Sequence, residues 1–379
     1  MRSWSGLLVL LFGLPVAAWG QSDTLPEFKP LLRRLWHERL ANAFSPSLPV
    51  FQLPVVYRDS TYGPKKRKQL RFEVRLAPRP LGLQRRVVKL AGRGYPVCYS
   101  IVFQGCLVAL FKHGRFGCYR LPNLEPDERL ARQLNVANWQ RFWLIGGRLV
   151  AQRTDGYYAY DAATHDWSHY EAVVPFGNQP KLYEDDRYLV YATCNGEFGG
   201  TAYFYNKQTA RTHYVGATCA NSIWQENGRY QLLASLGHMM GSAGASTIID
   251  PDLLPLVSAA RKKVATDSAR AIGKKNILPL FDFYGLQLFA ALPQQPQMLY
   301  LMNWRSTTFL ATIDGKRITI VDPLFADDLY TFNPVTTSYG PDLALTNLNS
   351  NELPETNEAA LLLWQGQQVI RIEWSNLQK

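Results

Sequence analysis

Two glycine-rich segments gather the side chains of this 379-residue chain that are best suited to binding chemistry. Cys194-Asn195-Gly196-Glu197-Phe198-Gly199-Gly200 and Gly237-His238-Met239-Met240-Gly241-Ser242-Ala243-Gly244 set amide, carboxylate, imidazole and phenyl groups on short connections. Phe176-Gly177-Asn178-Gln179 and Thr218-Cys219-Ala220-Asn221 add three more amides. Such groups supply both donors and acceptors, and an aromatic face covers the apolar side of a sugar or peptide. Asn178, Asn195, Glu197, Phe198, Asn221 and His238 are therefore the candidate ligand-binding residues. The alternative is that these stretches are glycine-rich connections with no ligand.

Catalytic chemistry finds only part of what it needs. Gly241-Ser242-Ala243-Gly244 sets glycine directly before the serine, unlike the G-x-S-x-G nucleophile elbow. His238 has no acid that the sequence assigns to orient it. His165 and His169 fall on a segment read as a strand, where period two points both the same way, but a third metal ligand is missing. Glu197 with Asp185 or Asp186 offers a carboxylate pair for glycoside cleavage, which requires a separation of ~5–9 Å. A glycan or ester hydrolase is thus the alternative to a binding module. No catalytic residue, metal ligand or cofactor is assigned.

The chain carries a formal charge of +11, and the segment from Lys65 to Arg93 holds eleven basic residues against one acid, Glu73. Arg71 and Arg75 alternate with Phe72 and Val74. Extended by Lys65, Lys66, Arg67 and Lys68, they form a cationic ridge suited to an anionic polymer. Base stacking needs aromatics on that same face, and Phe72 has the opposite parity, so sequence-specific nucleic-acid recognition is not expected. The competing reading is a sheet edge kept from pairing by charge.

The elements that must position these groups begin after residue 20. Arg2, the apolar stretch Leu7–Val16 and Ala18-Trp19-Gly20 read as a secretory signal cleaved before Gln21. The stretch is shorter than the roughly 20 apolar residues of a membrane helix, and no later run reaches that length. No membrane span is expected, and the mature protein is read as exported, periplasmic or extracellular, and soluble. Residues 21–49 are a helical segment: Thr24-Leu25-Pro26-Glu27 has the capping-box pattern, and Leu32, Leu35, Trp36, Leu40 and Ala43 follow at helical spacing.

From Val50 the period becomes two, and 48 aromatic residues favour strands. Gly147-Arg148-Leu149-Val150 leads through Asp155-Gly156 to Tyr158–Thr164; Asp186–Val190 leads likewise to Tyr203–Thr209, and Gly228–Leu232 to Thr247–Pro251. Asp161, Asn206 and Asp250 lie 45 and 44 residues apart. Earlier and later units are read at Gly105–Arg120 and Asp314–Pro323, with a last hairpin around Gln365-Gly366. A four-strand unit recurring every 40 to 50 residues predicts an all-β fold, a six- or seven-bladed β-propeller over 50–379. Leu253–Ile272, with Val257, Ala260, Val264 and Ala271 at spacings of three and four, is read as an inserted helix.

Leu144-Ile145-Gly146-Gly147, followed by Tyr160-Asp161, Thr164 and Trp167, resembles the kelch repeat in its double glycine and its tyrosine-to-tryptophan spacing. The next unit keeps Gly199-Gly200 and Tyr205 but has Thr212 in place of tryptophan. The resemblance implies a propeller, and such propellers are most often binding scaffolds, although function does not follow from fold.

In such blades the loops between second and third strands share a face with the connections between blades. Repeat alignment puts Cys194 at the start of one such loop and Cys219 in the connection leaving the same blade. A Cys194–Cys219 disulfide is therefore expected, stiffening the rim of the candidate site. Cys98, Cys106 and Cys118 cluster in an earlier blade and are expected to supply a second pair and one spare thiol. The functional expectation is an exported binding or scaffold module for a carbohydrate or protein at the cell envelope.

Overall fold

A strand whose side chains are apolar on both faces must be covered on both sides, and stacking sheets around a ring does this without leaving an uncovered sheet. Cys106–Phe111 is such a strand, buried at every position. The computed structural model describes residues 50–57, 68–77, 81–90, 94–172, 174, 179–237, 241–257, 275–294, 297–304, 307–322, 324, 329, 331, 333–348 and 361–374. The expected signal, the helix read over Pro26–Ala43, and Lys65, Lys66, Arg67, Asn178 and His238 lie outside these residues.

Three strands precede the ring: β1 (Val50–Tyr57), β2 (Lys68–Leu76) and β3 (Gln84–Leu90). Blade 1 is β4 (Ile101–Phe103), β5 (Cys106–Phe111), β6 (Arg115–Arg120) and β7 (Glu125–Pro126). A short helix, α1 (Glu128–Leu134), leads to blade 2: β8 (Arg141–Ile145), β9 (Arg148–Arg153), β10 (Gly156–Tyr160) and β11 (Trp167–His169). Blade 3 is β12 (Lys181–Glu184), β13 (Tyr188–Cys194), β14 (Gly200–Asn206) and β15 (Arg211–Gly216). Blade 4 is β16 (Ala220–Glu226), β17 (Arg229–Leu236), β18 (Ser242–Ile248) and β19 (Ile277–Tyr284). Blade 5 is β20 (Gln287–Gln294), β21 (Gln297–Trp304), β22 (Thr307–Asp314) and β23 (Arg317–Asp322). Blade 6 is β24 (Val335–Ser338), β25 (Leu343–Asn347), β26 (Leu361–Gln365) and β27 (Gln368–Trp374). The blade number, six or seven from sequence, is six.

Each blade interface has its own apolar core. Phe103, Val108 and Phe116 of blade 1 meet Phe142, Leu149 and Tyr160 of blade 2. Trp143 and Val150 meet Leu189 and Tyr191 across the next interface. Val190 and Phe204 then meet Ile223 and Leu232, and Trp224 and Leu233 meet Met302 and Phe309. Leu301 and Leu310 meet Leu362 and Trp364. Leu107, Ala109 and Phe111 of blade 1 meet Leu345, Leu363 and Ile370 of blade 6 and close the ring. The early strands reinforce the closure from outside. The β1–β2 hairpin adds to blade 5, with β2 parallel to β23, and β3 lies parallel to β27 on blade 6.

The repeat reading held best where turn chemistry marked it. Asp161, Asn206 and Asp250 occupy the same place, the connection from third to fourth strand in blades 2, 3 and 4. Their side-chain oxygens accept from the Ala163, Gln208 and Asp252 amides at 2.7, 2.9 and 3.1 Å, the Asx turn that these residue types favour. Asn227-Gly228, both at positive φ, makes the tight first hairpin of blade 4.

Four expectations are corrected. Asp314-Gly315 turns between the third and fourth strands of blade 5, so the unit read from it is out of register with its neighbours. The kelch-like double glycines are not equivalent: Gly146-Gly147 turns between first and second strands, whereas Gly199-Gly200 lies between second and third. The inserted segment does not begin as a helix. Pro251–Leu253 is a single 3-10 turn, and Pro255 then favours extended chain, which runs along β15 with Tyr214 and Val257 amides bonded to Pro255 and Thr212 carbonyls. Ser258–Ile272 lies outside the described residues. Finally, Cys98, Cys106 and Cys118 are all free thiols. Cys106 lies opposite Arg120 and Cys118 opposite Val108, a diagonal placement in which both serve as small apolar side chains of the blade 1–2 core.

Candidate functional site

Connections fall on two faces. Turns from first to second and third to fourth strands share one, here the turn face; loops from second to third strands and between blades share the other, the loop face. The Cys194–Cys219 disulfide forms on the loop face with Cα atoms 4.3 Å apart. Gly200 permits that approach, since a Cβ there would meet the Thr193 and Ala217 carbonyl oxygens at 2.5 Å.

The inner strands do not meet evenly around the axis. β24 of blade 6 packs against β12, β16 and β20, with Thr336 Oγ1 donating to the Phe289 carbonyl at 3.5 Å and Thr337 Oγ1 to the Lys181 carbonyl at 3.4 Å. A cavity is left off-centre among blades 1, 2, 3 and 6, with about 490 Å3 of empty space, part of it open to solvent. Its walls come mainly from the entering ends of β4, β8 and β12, which places it toward the loop face.

The wall is held by paired polar groups. Asn347 accepts from the Ser100 amide at 2.9 Å and donates to the Ser100 carbonyl at 3.1 Å, tying blade 6 to blade 1. Trp143 Nε1 donates to the Gln179 carbonyl at 2.9 Å, and Asn333 Nδ2 to the Tyr99 hydroxyl at 2.9 Å. Burial pushes the Tyr339 phenol well above its ordinary range, only partly offset by the Val102 backbone, so it stays neutral. Burial likewise pushes the Cys98 thiol up to about 12, against the Phe142 backbone and the Arg141 charge.

Three groups in this wall are left over. Ser100 Oγ and Gln179 Oε1 are buried without a hydrogen-bond partner among the described residues. Arg141, half-buried at the start of β8, makes no ion pair or side-chain hydrogen bond among them. Lys181 differs, since it is paired: its Nζ lies 2.8 Å from Glu184, which also takes Lys207 at 2.7 Å and the Gly146 amide at 2.9 Å. Burial lowers the Lys181 pKa, with Glu184 opposing. Burial would raise that of Glu184, but Lys181 and Lys207 outweigh it and hold the carboxyl below its usual range.

The residues proposed from sequence are not brought to one place. Asn195, Glu197 and Phe198 form an exposed turn on the loop face, with Phe198 83% accessible. Asn221 is fully buried beneath that face, where its Nδ2 donates to the Leu288 carbonyl at 2.8 Å and joins blades 4 and 5. Asp185 and Asp186 are on the turn face, separated from Glu197 by the length of β13, about 20 Å at ~3.3 Å per residue. That exceeds the separation glycoside cleavage needs. Asp185 is also occupied by the Arg187 and Tyr188 amides at 2.8 and 2.6 Å and the Tyr230 hydroxyl at 2.7 Å. His165 is not in a strand: it closes the turn before β11 at positive φ, with Nδ1 3.1 Å from the Tyr160 hydroxyl. His169 packs edge-on to Tyr158.

Of the cationic ridge, Lys68 and Arg71 lie in β2 and Arg75 is half-buried there. β2 is flanked by β1 and β23 and is not an edge. The charged edge is β3, where Arg85, Arg86 and Lys89 line the outer strand of blade 6 and Arg85 reaches the buried Asp322. Among the described residues no helix is long and apolar enough to cross a membrane.

No protein-family model matches the chain, and no curated protein does. Among solved structures, the calcium-binding protein regucalcin from Agrobacterium tumefaciens is similar at 12% identity and TM-score 0.40, over 77% of this chain and 99% of that one. The N-terminal domain of Nup159 aligns at 10% identity and TM-score 0.35, over 76% and 85%. The extracellular domain of a hybrid two-component system from B. thetaiotaomicron aligns at 10% identity and TM-score 0.37, over 74% of this chain but 33% of that one. The six-bladed ring itself stands on the strand pairing described above.

Proposed function

We propose that the protein is an exported binding module that takes a carbohydrate ligand in the off-centre cavity, at the loop face of the ring. The observation that carries this reading is the cavity's lining: aromatic side chains Tyr99, Phe142, Trp143 and Tyr339 stand beside buried polar atoms that the protein leaves unpaired. Pockets of ~300–1,000 Å3 that combine apolar walls with a few convergent polar groups suit small ligands. An unpaired buried hydroxyl or amide oxygen matches a ligand rich in hydroxyls. The disulfide fits the oxidising compartment that the N-terminal signal implies. The turn at Asn195, Glu197 and Phe198 would then be a rim contact, held in place by that disulfide.

Titration calorimetry and a glycan array on the secreted protein test this. Leu144→Trp, which fills the cavity from β8, is expected to abolish binding of any glycan found, with the melting temperature unchanged within a few degrees. Glycan binding undiminished in a folded Leu144→Trp protein would place the ligand elsewhere.

A further inference from the structure

Among the cavity's leftover groups, Arg141 differs in kind. A half-buried guanidinium normally finds a carboxylate, because desolvating a charge without a partner is unfavourable. Arg141 has none among the described residues, although other cationic side chains of the ring do: Lys181 and Lys207 share Glu184, Arg187 takes Asp252 at 2.6 Å, and Arg85 takes Asp322. The one carboxylate close to the cavity, Glu184, is already saturated by two lysines and the Gly146 amide. The neighbouring thiol does not supply the missing charge, because Cys98 stays protonated at neutral pH. The cavity therefore has a net positive wall that the fold does not neutralise.

We propose that the ligand of this cavity is an acidic sugar whose carboxylate pairs with Arg141 while its hydroxyls meet Ser100 Oγ and Gln179 Oε1. Arg141 presents planar paired donors that match a carboxylate. Ser100 Oγ donates or accepts, and Gln179 Oε1 accepts only, so a hydroxyl donor satisfies it and a second carboxylate would not. This inference rests on the carbohydrate reading above and adds the charge class.

The test compares D-glucuronate and D-galacturonate with neutral D-glucose and D-galactose on the full secreted protein by titration calorimetry. A charge-assisted hydrogen bond in place of a neutral one corresponds to roughly ten- to a hundredfold in affinity. At least one uronate is expected to bind that much more tightly than its neutral counterpart. Arg141→Gln should erase the difference without weakening the neutral sugar. Arg141→Lys should restore part of it, since it keeps the charge but not the paired donors. Equal affinities for uronate and neutral sugar, or a preference that survives Arg141→Gln, would overturn the acidic-sugar inference and leave the carbohydrate reading standing. Binding of none of the four, with glycan-array binding to neutral oligosaccharides alone, would overturn it as well. No glycan binding of any kind would remove both. Melting curves of the two variants guard against loss of fold, which is not expected because Arg141 supports no contact in the ring.

Discussion

The two faces of the ring treat their polar side chains in opposite ways. On the turn face, Asp161, Asp185, Asn206, Asp250 and Asp252 all accept hydrogen bonds from nearby amides, hydroxyls or cations. Asp252 alone bonds Arg187 at 2.6 Å and Asn206 at 2.9 Å, and lies 3.6 Å from His213 Nε2. At the cavity near the loop face, Ser100 Oγ and Gln179 Oε1 have no hydrogen-bond partner, and Arg141 has no ion-pair partner, among the described residues. The lesson is that abundance of polar residues does not mark a site, whereas unpaired polarity under burial does. Turn-face groups build blades; cavity groups await something else.

The loop face is nevertheless tied down, by a covalent bond rather than by charges. Replacing Cys194 and Cys219 together by serine should lower the unfolding free energy by about 3 kcal/mol, as expected for a closed loop of this length. Urea titration measures it. A loss under about 0.5 kcal/mol would mean that loop-face order owes little to the bridge.

A sharper division comes from two polar substitutions. Asp252→Ala removes the acceptor for Arg187 and for Asn206, which is only 1% exposed, and should cost about 2 kcal/mol while leaving cavity binding intact. Arg141→Gln should do the reverse, with stability changed by no more than about 0.5 kcal/mol. Equal stability losses from the two would erase the distinction between the faces.

Acid should reach the turn face first. Burial would raise the pKa values of Glu184 and Asp252, but their cationic and hydrogen-bonding partners hold both below the usual range, and backbone amides do the same for Asp161. A carboxyl depressed in the folded state adds stability that is fully present above its unfolded value, about pH 4–4.5, and is lost as pH falls through the folded value. Urea midpoints should therefore be level from pH 7 to about 5 and decline below about 4.5. In Asp252→Ala the decline should be shallower. An identical slope in the variant would show that Asp252 is not a source of it.

Much of the ring was legible in the sequence because its turns are local chemistry. Asp161, Asn206 and Asp250 each bond amides two residues on, so their spacing reports blade spacing directly. The disulfide was legible for the same reason, since equivalent positions in a repeat share a face. Blade 5 misled because Asp314-Gly315 is an equally good turn at a different place in the blade. Helix α1 was missed, although Asp127 caps it by accepting from the Leu130 amide at 2.9 Å; its seven residues are too few for periodicity to show. The cavity was not legible at all. Ser100, Arg141 and Gln179 come from three blades, and nothing local distinguishes Arg141 from the chain's other arginines except the partner it lacks.

The smallest effect on stability is also the most discriminating between structural and functional polarity. Ser100 is 3% exposed, its backbone amide and carbonyl are both held by Asn347, and its hydroxyl alone is unpaired. Ser100→Ala removes that hydroxyl without touching the Asn347 bonds. A structural serine would lose about 1 kcal/mol on losing its hydrogen bond. Here the buried hydroxyl has no protein partner, so Ser100→Ala should be neutral or stabilising by up to about 1 kcal/mol. Ligand affinity should fall at the same time, because the ligand is what completes the hydroxyl. A destabilised Ser100→Ala protein with undiminished binding would put Ser100 with the turn-face residues, as part of the scaffold, and take it out of the site.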